Sequence, residues 1–138
     1  MALRSVARAM AQARSAAPAR RNLSSIIDAD SGKLATQGYH YTSMALIPLT
    51  PLAFVLSPSS YCLPVDLALG VVIPLHAHIG MNYVMTDYVK KFVGKAAVGP
   101  SRYIMLGATG ITMAGLLKLN LSGPGVTESV KSLWRKKE

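Results

Sequence analysis

Two histidines in the middle of a long apolar stretch are the first candidates for chemistry. His76 and His78 fall within residues 65–89, a segment that otherwise has the composition of a membrane-spanning helix. Ionisable side chains are costly to place at that depth and usually serve a function there. His76 shares a helix stripe with Gly80, one turn away, which leaves clearance beside the imidazole for a flat macrocycle. Histidine is a common axial ligand of haem, so two interpretations stay open: haem ligation, or a hydrogen bond to a neighbouring helix.

The two histidines cannot hold one metal ion together. Successive helix positions turn by about 100°, so His76 and His78 point about 200° apart. Catalytic zinc needs three protein ligands, and His40 is the only other histidine in the sequence. The single cysteine, Cys62, excludes an internal disulfide and a multi-cysteine zinc or iron–sulfur site. Among metal centres, a histidine-ligated haem is the one that these residues fit.

Asp87 and Tyr88 form a second candidate site at the far end of the same helix. Tyr88 follows His76 by twelve residues, about 18 Å along a helix that rises 1.5 Å per residue. With His76 near the middle of the membrane, Tyr88 lies at its surface, where its hydroxyl can donate a hydrogen bond to a quinone carbonyl. The Asp87 carboxyl can take part in proton delivery. The alternatives are an interfacial aromatic residue for Tyr88 and an ion pair with a nearby lysine for Asp87.

The helices that position these residues are outlined by the distribution of charge. Only 15% of the 138 residues are charged, whereas 51% are hydrophobic. Three windows of 32, 20 and 15 residues carry no formal charge, and a spanning helix needs about 20 apolar residues. We therefore predict an all-α membrane protein with three transmembrane helices, over residues 41–56, 65–89 and 102–121. A water-soluble bundle is the alternative, but no segment has the wide polar face that such a bundle requires.

The third predicted span is short and rich in small residues. We expect Arg102 and Lys118 to extend their charged ends towards the membrane interface. Small residues let helix backbones approach closely in a membrane, so we expect their two stripes to pack against neighbouring helices. One stripe consists of Gly107, Gly110 and Ala114, and the other of Ala108, Thr112 and Gly115.

The first 25 residues are interpreted as a targeting segment rather than as part of the fold. The formal net charge is +9, and five arginines with no acidic residue lie within residues 1–27. An Arg-, Ala- and Ser-rich segment without acids is typical of a mitochondrial transit peptide, whereas a secretory signal needs a continuous apolar core. We assign residues 1–25 to a transit peptide. A basic arm for nucleic acid is the alternative, but the arginines are not interleaved with aromatic residues.

The charges between the spans predict the orientation in the membrane. The connection after the second span carries four basic residues, and the connection after the first carries none. The positive-inside rule places the basic connection in the matrix, together with residues 26–40 and the N-terminus. Three spans then send residues 122–138 to the intermembrane space. We interpret this tail as an amphipathic segment on the membrane surface, with a solvated charged tail as the alternative. Its apolar face consists of Val126, Val130, Leu133 and Trp134.

Residues 76–89, HAHIGMNYVMTDYV, resemble the signature of the small cytochrome b membrane anchor of succinate dehydrogenase, or complex II. In that family a motif of the form H-x-x-x-G, followed by T-D-Y-V, runs along the second of three transmembrane helices. Across the other helices the resemblance rests on organisation alone. It implies that His76 is an axial ligand of haem b and its iron, that Tyr88 contacts ubiquinone, and that Asp87 lies near ubiquinone.

The resemblance also implies partners and a division of labour. A larger cytochrome b subunit supplies the second axial histidine and joins this chain in a heteromeric helical bundle. An iron–sulfur subunit and a flavoprotein subunit carry out succinate oxidation on the matrix side of the mitochondrial inner membrane. This chain is then a non-catalytic anchor within succinate:ubiquinone oxidoreductase, in contact with membrane lipid and not with nucleic acid.

His78 and Pro74 flank the implied haem ligand. By the same resemblance, His78 is interpreted as a residue near a haem propionate. Pro74 is a departure from the expected pattern, because a proline inside a helix removes a hydrogen bond and can kink the helix. A kink there would change the direction in which the His76 imidazole points, but not the interpretation of His76 as the ligand.

Two other functions compete with that of a complex II anchor. A non-redox paralogue would serve as a structural subunit of another inner-membrane complex, such as a protein-import translocase, but it would need neither His76 nor the pair Asp87 and Tyr88. A small carrier or channel subunit should show polar residues along one face of several helices, and only the second span does.

Overall fold

The computed structural model describes residues 26–135, and the regular structure within that range is helical. Helix α1 spans Gly32–Leu56, α2 spans Cys62–Phe92, α3 spans Lys95–Ser122 and the short α4 spans Val126–Ser132. The predicted transit peptide, residues 1–25, and the last three residues of the tail lie outside the described range.

Helix α2 is the centre of the fold, because both α1 and α3 pack against it. It is α-helical over Cys62–Val84, widens into a π-helical turn over Met85–Val89 and ends in an α-helical turn, Lys90–Phe92. Gly94, at φ 112°, then adopts a left-handed backbone conformation that other residues avoid, and the chain reverses into α3. The three long helices are consecutive and antiparallel, with α2 in the middle.

Each predicted span corresponds to a helix, but the ends differ. Residues 65–89 fall inside α2 and residues 102–121 inside α3. The first span was predicted to begin at residue 41, whereas α1 begins at Gly32, so much of the predicted matrix-side segment, 26–40, is helical. The prediction was set by apolar composition. A helix is held by backbone hydrogen bonds and continues through polar residues.

Helices α2 and α3 are long and apolar enough to cross a membrane. Of the most apolar part of each helix, 33% in α2 and 11% in α3 is buried within the described chain, so much of their apolar surface faces outward. Helix α1 does not reach the same hydropathy. Its first turns carry Lys33, Thr36 and Gln37, and apolar residues dominate only from Met44 onward. The third transmembrane helix therefore stays a prediction.

The small residues of α3 make no close contact within the described part of the chain, so their predicted packing against neighbouring helices stays a prediction. All six residues of the two stripes are exposed, and nothing lies within 4 Å of a Cβ added at Gly107, Gly110 or Gly115. The close approach comes from α2 instead, where a Cβ added at Gly70 would stand 2.8 Å from Nδ2 of Asn120. Both stripes thus lie on the outer surface of the part of the chain that is described.

The tail folds back onto the end of the bundle where α1 meets α2. Gly125, at φ 88°, turns the chain so that α4 begins beside α2. The buried carboxylate of Asp66 accepts hydrogen bonds from the Thr127 hydroxyl and, at 3.3 Å, from the Thr127 backbone N–H. Leu133 and Trp134, just beyond α4, are 79% and 76% exposed. The tail is thus docked on protein by its polar side, and its predicted contact with the membrane surface stays a prediction.

Charged residues of α4 tie it to the connection between α1 and α2. Glu128 accepts a hydrogen bond from the Ser57 hydroxyl at 2.7 Å and pairs with Arg135 at 2.7 Å. The Ser57 hydrogen bond, and after it the Arg135 guanidinium, hold the pKa of the Glu128 carboxyl below its usual value. Lys131 donates hydrogen bonds to the carbonyl oxygens of Phe54 and Ser57.

Candidate functional site

His76 lies on the face of α2 that packs against α1. Its Nδ1 is 3.1 Å from the Thr42 hydroxyl, and its ring stacks on Tyr39 with centroids 4.5 Å apart and planes 23° from parallel. Among the described residues, Nδ1 carries the only hydrogen bond of this imidazole. The ring is thus fixed by one hydrogen bond and one aromatic contact, and Nε2 is left without a protein partner in that range.

The hydrogen bonds of Thr42 favour one tautomer of His76. The Thr42 hydroxyl has one hydrogen, and Gly38 O and Tyr39 O each lie 2.9 Å from its oxygen. When the hydroxyl donates to either carbonyl, its oxygen acts as the acceptor towards His76, and Nδ1 carries the imidazole proton. Nε2 keeps its lone pair, which is the state in which a histidine binds a metal while its other nitrogen donates to a supporting residue.

Gly80 and Tyr83 lie on the same face of α2 as His76, as the helical spacing predicts. The Tyr83 hydroxyl is 3.2 Å from Thr36 on α1, and its ring meets Tyr39 edge to face at 6.4 Å. A Cβ added at Gly80 would stand 3.4 Å from the Tyr39 ring. The space beside Gly80 is therefore occupied by the Tyr39 ring within this chain. The sequence predicts instead that this space accommodates a flat macrocycle.

His78 faces the opposite side of α2 and is only 5% exposed. Its Nδ1 is 2.9 Å from the Thr109 hydroxyl on α3, and its Nε2 is 2.9 Å from the carbonyl oxygen of Ile26. Asn82, fully buried one turn later, donates to the His78 carbonyl oxygen at 2.8 Å. The two histidines thus diverge as predicted. Both ring nitrogens of His78 have protein partners among the described residues, and its expected place beside a haem propionate stays a prediction.

Asp87 and Tyr88 lie in the π-helical turn Met85–Val89 and face outward. Tyr88 is 59% exposed and its ring is parallel to that of Phe92, with centroids 6.5 Å apart. Within residues 26–135, Asp87 forms no ion pair, so the alternative pairing with a nearby lysine is not made there. π-Helical turns inside α-helices occur frequently at functional sites.

An ion cluster that sequence reasoning missed holds the inner side of this turn. Arg102 donates from Nη1 to Asp28, from Nη2 to Asp30 at 2.6 Å, and from Nη2 to the Thr86 hydroxyl oxygen at 2.7 Å. The Thr86 hydroxyl in turn donates to Asp30. The side chain of Arg102 is only 14% exposed, because its charge is compensated by two carboxylates within the chain. Its predicted extension towards the membrane interface stays a prediction.

The chain does not supply a complete metal site within its described residues. No group of three or more histidine, cysteine, aspartate or glutamate side chains comes together there to hold a metal ion. His76, through Nε2, would be the residue of this chain that holds a haem.

A known family matches most of the chain. Residues 23–135 match the model described as CybS, succinate dehydrogenase cytochrome B small subunit. That range contains His76, Asp87 and Tyr88, as well as the Arg102 cluster.

Three vertebrate proteins are among the relatives to which the chain is similar. The mitochondrial succinate dehydrogenase (ubiquinone) cytochrome b small subunit of Homo sapiens is 31% identical over 99 residues, covering 70% of this chain and 59% of the relative. The protein of the same description from Bos taurus is 33% identical over 98 residues, covering 71% and 58%. One of the corresponding small subunits of Danio rerio is 34% identical over 100 residues, covering 72% and 58%. The matched part thus spans about three fifths of each of these relatives.

Proposed function

The chain belongs to the family of succinate dehydrogenase cytochrome b small subunits, and on that premise we propose that it anchors succinate dehydrogenase in the mitochondrial inner membrane. There it shares a haem b through His76 and contributes Tyr88 and Asp87 to a ubiquinone site. The larger cytochrome b subunit, the iron–sulfur subunit and the flavoprotein subunit are its partners. Electrons from succinate reach ubiquinone through this assembly, and the chain itself is not the catalyst of succinate oxidation.

The state of the His76 ring is the observation that carries the proposal. An imidazole in an apolar helix has its Nδ1 3.1 Å from the Thr42 hydroxyl and its Nε2 without a protein partner among the described residues. Tyr39 fixes the plane of the ring from one side. A bound haem would add a one-electron centre of tunable potential at this place. The contribution of the chain is to hold the ligand in one orientation and one tautomer.

The outward position of Tyr88 and Asp87 supports their role at a ubiquinone site. The Tyr88 hydroxyl is a hydrogen-bond donor for a quinone carbonyl, and the Asp87 carboxyl can pass a proton to the reduced oxygen. Because both side chains are exposed on this chain, partner subunits would complete the site and exclude water from it.

The positions of the helix ends support an orientation with the N-terminus in the matrix. The pairing of Arg102 with Asp28 and Asp30 brings the segment before α1 to the same end of the bundle as the connection between α2 and α3. That end carries Lys90, Lys91 and Lys95, and the positive-inside rule assigns such an end to the matrix. Helix α4 lies at the other end, which is then the side of the intermembrane space.

Co-purification tests this function directly. The chain with an affinity tag is extracted from mitochondrial membranes in mild detergent, its bound subunits are identified, and a reduced-minus-oxidised optical spectrum is recorded. We expect the flavoprotein, the iron–sulfur protein and the larger cytochrome b subunit, together with a b-type haem spectrum. Recovery of protein-import subunits instead, without haem, would contradict the proposal and favour the structural paralogue.

A further inference from the structure

The π-helical turn of α2 has two sides with different environments. Asp87 and Tyr88 are exposed, whereas Thr86 is partly buried and makes hydrogen bonds to two other segments of the chain. Consecutive residues of one turn thus point to opposite sides, one to the protein interior and the others to the proposed quinone site.

The inner side is held by three parts of the chain that are far apart in sequence. Arg102, at the start of α3, bridges Asp28 and Asp30 from the segment before α1 and also donates to Thr86 at 2.7 Å. The side chain of Asp30 is 7% exposed and that of Arg102 is 14% exposed. Charge-assisted hydrogen bonds with this little solvent are stronger and more directional than exposed ones. Thr86 is therefore the point at which the ion cluster holds the turn.

We propose that Thr86, held by Arg102 and Asp30, is a positioning residue for Tyr88 in quinone binding. This inference rests on the proposed function. Tyr88 itself has no hydrogen bond within the described residues, and its exposed ring touches only Phe92 among aromatic neighbours. The backbone of the π-helical turn sets the point from which the Tyr88 side chain extends, and Thr86 holds that backbone two residues earlier. In this role Thr86 acts through Tyr88 and not on quinone itself.

Thr86→Val in the assembled complex tests the inference, because valine keeps the size of threonine and removes its hydroxyl. Quinone reduction by succinate is measured on purified complex and normalised to the reduction of a soluble artificial acceptor. We expect the KM for a short-chain ubiquinone to rise about two- to tenfold, the change that follows from losing one hydrogen bond. Thr86→Ser restores the hydroxyl and should return KM to the wild-type value. If Thr86→Val does not assemble, Asp30→Asn replaces it with the same expectation.

A matched control separates positioning from general damage. Like Thr86, Thr127 has a hydroxyl that donates to an aspartate, Asp66, but Thr127 is buried at the opposite end of the bundle. Thr127→Val should therefore leave the KM for quinone unchanged. A purely structural role for Thr86 would lower the yield of complex without changing KM, and that result would overturn the inference.

A double variant distinguishes failure of this inference from failure of the proposed function. If Thr86 acts through Tyr88, adding Thr86→Val to Tyr88→Phe should produce no further rise in KM, because contacting residues are not additive. An unchanged KM in Tyr88→Phe alone would refute the proposed quinone role itself. A raised KM in Tyr88→Phe together with a wild-type KM in Thr86→Val would refute only the positioning role. Fully additive increases in KM in the double variant would refute it as well.

Discussion

The Thr42 hydroxyl on α1 lies 3.1 Å from Nδ1 of His76 on α2. Two helix carbonyls, each 2.9 Å from the same hydroxyl, can accept its hydrogen and leave its oxygen as the acceptor for the imidazole N–H. A residue 34 positions earlier in the chain therefore favours the tautomer in which Nε2 carries the lone pair. The relationship connects the packing of two helices to the chemistry that the second one can perform.

His76→Ala should abolish the b-type haem spectrum of the purified complex, because one of the two proposed axial ligands is lost. The measurement is the reduced-minus-oxidised spectrum, recorded beside the subunit composition of the same sample. His40→Ala is the matched control, since His40 is exposed on α1. A spectrum that persists in His76→Ala would show that this residue is not the ligand.

Thr42→Val should weaken haem binding without abolishing it. Losing a supporting hydrogen bond to a metal-bound histidine costs about 10- to 100-fold in metal affinity. Haem content per complex, determined after dilution or mild denaturant, should be lower than in wild type, and Thr42→Ser should restore it. Equal haem retention in the valine and serine variants would contradict the assigned support of His76 by Thr42.

Tyr88→Phe should lower quinone reduction while the complex stays assembled. Phenylalanine keeps the ring and its contact with Phe92 but removes the hydroxyl that would bind the quinone carbonyl. We expect a loss of about tenfold in kcat/KM for quinone, the value of one hydrogen bond to a substrate. Tyr61→Phe is a control on a tyrosine that is also exposed but lies at the other end of the bundle. Equal quinone kinetics in the two variants would refute the role of Tyr88.

Gly125→Ala should detach α4 from the bundle. Gly125 has φ 88°, which other residues adopt only at a cost of about 1–3 kcal/mol, and an added Cβ would collide with the carboxylate of Asp66. Hydrogen exchange of residues 126–132 should speed up in the variant complex. Gly99→Ala, where nothing lies within 4 Å of an added Cβ, should leave exchange in α4 unchanged. Protected α4 amides in Gly125→Ala would show that docking does not depend on this turn.

The docking of α4 should also depend on pH through Glu128. Its pKa is held below the usual value of 4.5, chiefly by the Ser57 hydroxyl. A lowered folded-state pKa stabilises the docked state above pH 4.5, and the contribution is lost as pH falls through the folded-state value. Fluorescence of Trp134, the single tryptophan, should therefore be constant from neutral pH to about 5 and change only in more acidic solution. Glu128→Gln should remove this change, and an identical acid transition in that variant would rule out Glu128 as its source.

Sequence patterns were sufficient for features that depend on neighbouring residues. Charge-free windows located α2 and α3, because apolar composition and helix periodicity are local properties. The divergence of His76 and His78 followed from the rotation per residue along one helix. The start of α1 at Gly32 was missed, because polar residues end an apolar pattern without ending the helix. The segment 76–89 indicated the family, which the match over residues 23–135 confirms.

Only the tertiary structure decided which distant residues meet. The partners of Arg102 lie 72 and 74 positions away, and Thr127 lies 61 positions from Asp66, so no local pattern connects them. The small residues of α3 are a second example. Their spacing predicts that they share one side of the helix, but it does not predict which helix packs against that side. Helix formation requires hydrogen bonds within a few residues, whereas the tautomer of His76 and the orientation of the Tyr88 turn require contacts between segments that only folding brings together.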